Sequence, residues 1–135
     1  MTHEKQNRAL AEFIVANAAE FAPFVFEDVD EIQSTLDDAT IIGDQAAGFA
    51  VVLPGGKLWL LYVPPDLRGQ KRGRLLLREA ERVHPDVYLW LKCHKSLRPW
   101  YGSKGYRVID TYGDTREMVG PFKSPQDWAD YQYGR

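Results

Sequence analysis

The chain has 135 residues, 44% hydrophobic and 27% charged, which fits one soluble globular domain with its own core. Its only cysteine, Cys93, excludes an internal disulfide and favours a reducing, cytoplasmic setting; no metal-ligand spacing, signal peptide or apolar run near ~18 residues is present. The net charge of −2 hides a division, with two cations and ten acids in residues 1–50 but fifteen cations and nine acids in residues 51–135.

Leu10, Phe13, Ile14, Ala18 and Phe21 recur at helical spacing and predict an amphipathic helix over 7–20, which Pro23 stops. Val29, Ile32 and Leu36 predict a second short helix, with acids in its first turn where the helix dipole favours them. "ATIIGD", "AGFAVVLP" and "KLWLLYVP" read as three strands joined by short turns. "GRLLLREAERV" is helical, "DVYLWLK" a strand, and "SLRPWYGSKG" a short helix or turn ending at Gly105. "YRVIDTYG" and "TREMVG" form a closing strand pair, and Ser124, Pro125 and Asp127 mark the start of a terminal helix. This order predicts a mixed α/β (α+β) domain with a largely antiparallel sheet and about four helices, not a Rossmann repeat.

The segment "VPPDLRGQKRGRLL", residues 63–76, joins a strand to a helix. The first N–H groups of a helix lack internal partners and sit at the positive end of its dipole, which makes them a site for phosphate oxygens. Gly69 and Gly73 allow a ligand close to the backbone, and Arg68, Lys71, Arg72 and Arg74 add positive charge around Gln70. The spacing is neither GxxxxGK[ST] nor GxGxxG, so neither fingerprint of nucleoside triphosphate or dinucleotide binding applies. A basic surface turn whose glycines serve only a tight bend has the same composition.

Val63, Pro65, Arg68, Gly69 and Gly73, followed by Leu75, Leu76 and Leu77, resemble the V-x-P-x-x-R-G-x-G-x-G segment of the GNAT N-acetyltransferase superfamily. His94, Leu97, Tyr101, Gly105 and Tyr106 in "HKSLRPWYGSKGY" stand in the register of a second segment of that family, N-x-x-A-x-x-x-Y-x-x-x-G-F. The two segments lie in the family's order and cover residues 57–107. Three departures stand out: Lys71 replaces a usual glycine, His94 replaces the usual asparagine, and the first strand of the family is missing.

The resemblance implies a sheet splayed between the strand ending at Val63 and the strand ending near Lys92, with acetyl-CoA lying in the splay. It implies that the cofactor's pyrophosphate rests on residues 68–74 and that backbone N–H groups of the strand carrying Leu61 and Val63 face the thioester. It places Tyr101 as the acid that protonates the leaving thiolate; a tyrosine packed through its ring fits the same position. His94 is a candidate base, pantetheine contact or packing residue. Asp110, Asp114, Glu117, Glu27, Asp28, Asp30 and Glu31 fall near the acceptor side in relatives and together favour a cationic amine, whether a protein or a small molecule. Arg74, Arg78 and Arg82 form a helical stripe, either extending the phosphate field or simply solvated. Trp128, Tyr131 and Tyr133 are expected to cover a sheet edge or core, with an acceptor-site lining or a homodimer contact as alternatives.

The rival reading is a catalytically weak or inactive binding module on the same fold, acting through a protein partner. Nucleic-acid binding is the weaker alternative, since the chain is acidic overall with pI ≈ 5.9.

Overall fold

The computed structural model describes residues 3–21 and 26–134. Within them the order is α1 (His3–Ala16), α2 (Val29–Asp37), β1 (Thr40–Asp44), β2 (Gly48–Leu53), β3 (Lys57–Tyr62), α3 (Arg72–Glu81), β4 (Leu89–His94), α4 (Arg98–Ser103), β5 (Arg107–Tyr112), β6 (Thr115–Gly120) and α5 (Pro125–Tyr133). All six strands occur where the alternation and turn residues place them. The first helix differs from the 7–20 expectation. It begins at His3, where exposed polar residues carry no periodic signal, and ends at Ala16. Asn17 ends it: its backbone and side-chain amides both donate to the Phe13 carbonyl, at 3.0 and 2.9 Å. A 3₁₀ turn, Ala18–Phe21, then carries Phe21 into the core. The described residues hold five α-helices, in keeping with the expected mixed fold, and α4 takes the helical form of the expected short helix or turn.

The strands form one sheet in the order β1-β2-β3-β4-β6-β5. Every pairing is antiparallel except β3 with β4. α1 and α2 cover one face over Phe49, Val51, Leu60 and Tyr62. α3 and Tyr101 of α4 cover the other over Ala50, Val52, Leu58, Leu91 and Met118. β2 is buried on both faces, which explains its uninterrupted apolar run. Burying a side chain such as Leu77 completely contributes about 1.5–3 kcal/mol.

Two irregularities shape the middle of the sheet. Val52 pairs with Leu58 and Val51 with Leu60, which leaves Trp59 as an extra residue in β3. This bulge turns Trp59 and Leu60 toward the same core, while Leu58 and Leu61 join the opposite one. Beside the bulge, β3 and β4 pair only at Lys57↔Trp90 and Leu58↔Leu91. Beyond that point they separate, so β3 from Trp59 onward has no ladder partner on its β4 side.

α3 is fixed over the sheet by a polar clamp. The buried Tyr106 hydroxyl donates to Glu81 Oε2 at 2.7 Å, and Arg78 Nη1 donates to Glu81 Oε1 at 2.8 Å. The C-terminal half of the helix is thereby tied to the start of β5, and its N-terminus points back to the opening between β3 and β4. Trp128 and Tyr131 of α5 pack ring to ring with Tyr88 and Phe122. Tyr133 stands outside this cluster at 91% exposure.

Candidate active site

A cleft of about 650 Å³ opens where β3 gives way to α3. It is lined by Leu61, Val63, Arg68, Gly69, Lys71, Arg72, Gly73 and Arg74 on one side and by Leu97, Trp100, Tyr101 and Lys104 on the other. A smaller compartment of about 60 Å³ continues it into the gap between the strands, between Trp59, Leu60 and Leu61 of β3 and Lys92 and Cys93 of β4. Tyr101 lines both. A larger cleft, about 950 Å³, lies elsewhere, between the start of α1 and the edge strand β1. It holds acids and amides in place of the cationic turn and does not reach the splay.

The turn leading into α3 is unlike the starts of α2 and α5. Asp28 caps α2 by accepting from the N–H groups of Asp30 and Glu31, and Ser124 caps α5 by accepting from Asp127 N–H. The residue before α3 is Lys71, whose side chain makes no capping bond. The Lys71 carbonyl accepts from Leu75 N–H at 3.1 Å and so starts the helix ladder, but the N–H groups before it have no side-chain acceptor. An anion is the partner such a helix end attracts. Lys71 itself has φ 65° and ψ 13°, in the left-handed region. It is the one non-glycine residue with positive φ among those described. A side chain costs about 1 kcal/mol there. Gly69 at φ 82° needs its glycine for the same reason, and a Cβ on it would meet open space, so its backbone faces the cleft unobstructed. At Gly73 a Cβ would meet Trp100 at 3.4 Å, an ordinary contact.

Tyr101 is 6% exposed, with its ring edge-on to Trp100 at 4.9 Å and to Tyr106 at 5.7 Å. Its hydroxyl has no hydrogen-bond partner among the described residues. No buried side-chain N or O among them lacks a partner, so the hydroxyl must reach the cleft. Burial, with a smaller contribution from Cys93, pushes its pKa well above that of an ordinary tyrosine. The phenol therefore keeps its proton through the neutral range and is free to donate it. Cys93 is a buried thiol beside Met118 at 3.9 Å, pushed up to about 11 by burial, and is neither ionised nor exposed enough for a nucleophile.

Of the residues expected from the sequence, Leu61, Val63, Arg68, Gly69, Lys71, Arg72, Gly73, Arg74 and Tyr101 come together around the one cleft. Gln70 and His94 do not line it. Gln70 lies exposed at the tip of the turn. His94 is the last residue of β4, beyond the residues of that strand that line the gap. Its Nδ1 caps the next turn, accepting from Ser96 N–H at 3.1 Å. The acids that the resemblance set beside an acceptor are partly committed to other contacts. Asp28 caps α2, Asp30 pairs with Arg8, Asp114 pairs with Lys95 at 3.1 Å, and Asp110 accepts from the Tyr112 hydroxyl at 2.8 Å. That last bond, with the Thr111 N–H, holds the Asp110 carboxyl below the usual carboxylate range. Glu117 sits opposite Lys92 across the β4–β6 ladder.

Sequence reasoning missed Glu20. It lines both compartments and holds Arg68 Nη2 at 2.9 Å. No local motif marks it; only the 3₁₀ turn after α1 brings it to the site.

A gap between strands, an uncapped cationic helix start and the Tyr101 hydroxyl thus face one continuous cleft. The acetyltransferase (GNAT) domain family matches residues 9–120, and the chain belongs to that family. Among solved structures it is similar to the GCN5-related N-acetyltransferase of Rhodopseudomonas palustris, with 18% identity over 85% of this chain and 88% of that one and a TM-score of 0.56. It is also similar to ElaA of Escherichia coli, with 19% identity, coverage of 85% and 87%, and a TM-score of 0.56. The ribosomal-protein-S18-alanine N-acetyltransferase of Escherichia coli is a third, with 17% identity, coverage of 81% and 83%, and a TM-score of 0.54. At these identities the likeness is one of fold. No curated protein matches the sequence.

Proposed function

We propose that the protein transfers an acetyl group from acetyl-CoA to a primary amine by direct attack, in a cytoplasmic setting suited to its single buried thiol. One observation carries the reading. The uncapped start of α3, ringed by cations, and the unpartnered Tyr101 hydroxyl open on one cleft that runs into the splay.

The residues present fit acetyl-CoA. The free N–H groups of α3 and the side chains of Lys71, Arg72 and Arg74 suit its phosphates. Leu61, Val63 and Leu97 offer apolar walls to the pantetheine arm. When bound, acetyl-CoA supplies a thioester carbonyl activated for attack by an amine. β3 beyond Trp59 then presents unpaired backbone donors along the splay, where developing negative charge on the carbonyl oxygen needs them; such a donor is worth about 10²–10³ in rate. The C–N bond would form as the C–S bond breaks; Tyr101 would give its proton to the departing sulfur and be reprotonated by the amine nitrogen, which sheds one proton on becoming an amide, an ammonium having first lost its extra proton to solvent. His94, whose Nδ1 accepts from Ser96 N–H, takes no step in this scheme.

Release of free thiol from acetyl-CoA, followed colorimetrically against polyamines, lysine-containing peptides and free peptide N-termini, tests the reading. A thiol signal that depends on one amine class supports it. A chain that binds CoA but releases no thiol with any amine supports instead a non-catalytic module on this fold. The strained Lys71 is the observation that favours this second reading.

A further inference from the structure

Glu20 is the only carboxylate lining either compartment among the described residues, and it lines both. It arrives from the 3₁₀ turn after α1 and reaches across 48 positions of sequence to Arg68, Oε2 accepting from Nη2 at 2.9 Å. Arg68 is braced from behind, its Nε donating to the Val63 carbonyl at 2.9 Å. The guanidinium therefore stands at the end of β3 with one edge on the strand and another on Glu20.

Lys71, Arg72, Arg74 and Lys104 line the same cleft, and none of them has a carboxylate partner among the described residues. Arg68 is thus the one cleft cation already paired with a carboxylate among the described residues. The engagement is loose. The side chains are 51% and 37% exposed, and an ion pair so exposed to water breaks readily. A phosphate group offers the same guanidinium two oxygens and more charge. In the smaller compartment Lys92 is the cation, so Glu20 is the one charged group there that attracts an ammonium.

We propose that the Glu20–Arg68 ion pair is a binding-order latch: the phosphates of the cofactor take Arg68, and the released Glu20 turns to the splay and docks the ammonium of the acceptor. The inference rests on the cofactor reading above and deepens it with two residue roles: Glu20 reads the acceptor's ammonium, and Arg68 withholds it until the phosphates arrive.

Isothermal titration with CoA, which cannot transfer an acyl group, reads the latch without turnover. Glu20→Gln tightens CoA by about two- to five-fold, because the competitor for Arg68 is gone. Arg68→Ala weakens CoA about tenfold. In the Arg68→Ala background, Glu20→Gln changes nothing. n-Butylammonium titrated by NMR binds the CoA-saturated wild type at least about five-fold more tightly than the CoA-free protein, a gain that Glu20→Gln abolishes and Glu20→Asp partly keeps. Unchanged CoA affinity in Glu20→Gln, or equal tightening with and without Arg68, overturns the latch. Butylammonium affinity indifferent to CoA, or no binding, overturns the docking role. A wild-type protein that binds no CoA overturns the cofactor reading and the latch with it, whereas CoA binding insensitive to Glu20 overturns the latch alone.

Discussion

Lys71 and Gly69, two residues apart in the turn before α3, share a left-handed backbone, at φ 65° and 82°. The glycine adopts it freely, and the lysine does not. Lys71→Gly is therefore expected to stabilise the fold by about 0.5–1 kcal/mol, a rise in Tm of about 2–5 °C. Lys71→Ala keeps the Cβ and gains nothing. Thermal unfolding of the pair separates backbone from charge, since equal stabilisation by both would make the ammonium, not the backbone, the source of strain.

Tyr101→Phe removes the hydroxyl that opens on the cleft and leaves the ring contacts with Trp100 and Tyr106 in place. Turnover should fall about 10²–10⁴-fold while CoA affinity changes little. Steady-state rates with the best amine, set beside CoA titration, check this. A matched loss of affinity and turnover would mean that the residue holds the cofactor and does not donate a proton.

The buried tyrosines make stability fall in alkali. Burial raises Tyr101, and burial together with the bond to Glu81 raises Tyr106. The folded state keeps these protons where the unfolded chain has lost them. Their contribution is complete below the ordinary tyrosine value near ~10 and declines above it, by about 1.4 kcal/mol per pH unit for each group. Cys93, raised to about 11 from 9.0, starts the decline slightly earlier. Urea unfolding from pH 8 to 11 should show this fall. Tyr106→Phe should flatten it and, at neutral pH, cost about 1–2 kcal/mol for the lost bond to Glu81.

Gly105 ends the α4 segment at φ 99°, and a Cβ there would stand 2.9 Å from the Phe122 carbonyl oxygen. The Gly105 carbonyl accepts from Phe122 N–H at 2.7 Å, so the backbone cannot withdraw without losing that bond. Gly105→Ala should destabilise by about 2 kcal/mol or more, read as a drop in the urea midpoint. An unchanged midpoint would show that the loop yields.

The strands were legible because each alternates or runs apolar between turn residues, as "KLWLLY" does between Gly56 and Pro64. The cationic turn and Tyr101 were legible because their local motifs are short and ordered along the chain. The bulge at Trp59 was not, because a strand of alternating size reads the same with or without an extra residue; only pairing with Val51 and Val52 shows it. Glu20 was hidden for a related reason. Its importance lies in a contact 48 residues away, and the helical spacing of Ala18 and Phe21 placed it inside a continuous helix. His94 was expected near the splay because it ends β4; it lines neither compartment, and its Nδ1 accepts from Ser96 N–H at the start of the next turn.

The most direct test of the central claim is thermal unfolding of the wild type and Arg72→Ala with acetyl-CoA, using NAD as the control dinucleotide. The account predicts that acetyl-CoA at about 100 times its Kd stabilises the wild type by roughly 2.7 kcal/mol, that Arg72→Ala needs about tenfold more ligand for the same shift, and that NAD leaves Tm unchanged. No shift with acetyl-CoA, or an equal shift with NAD, would contradict it.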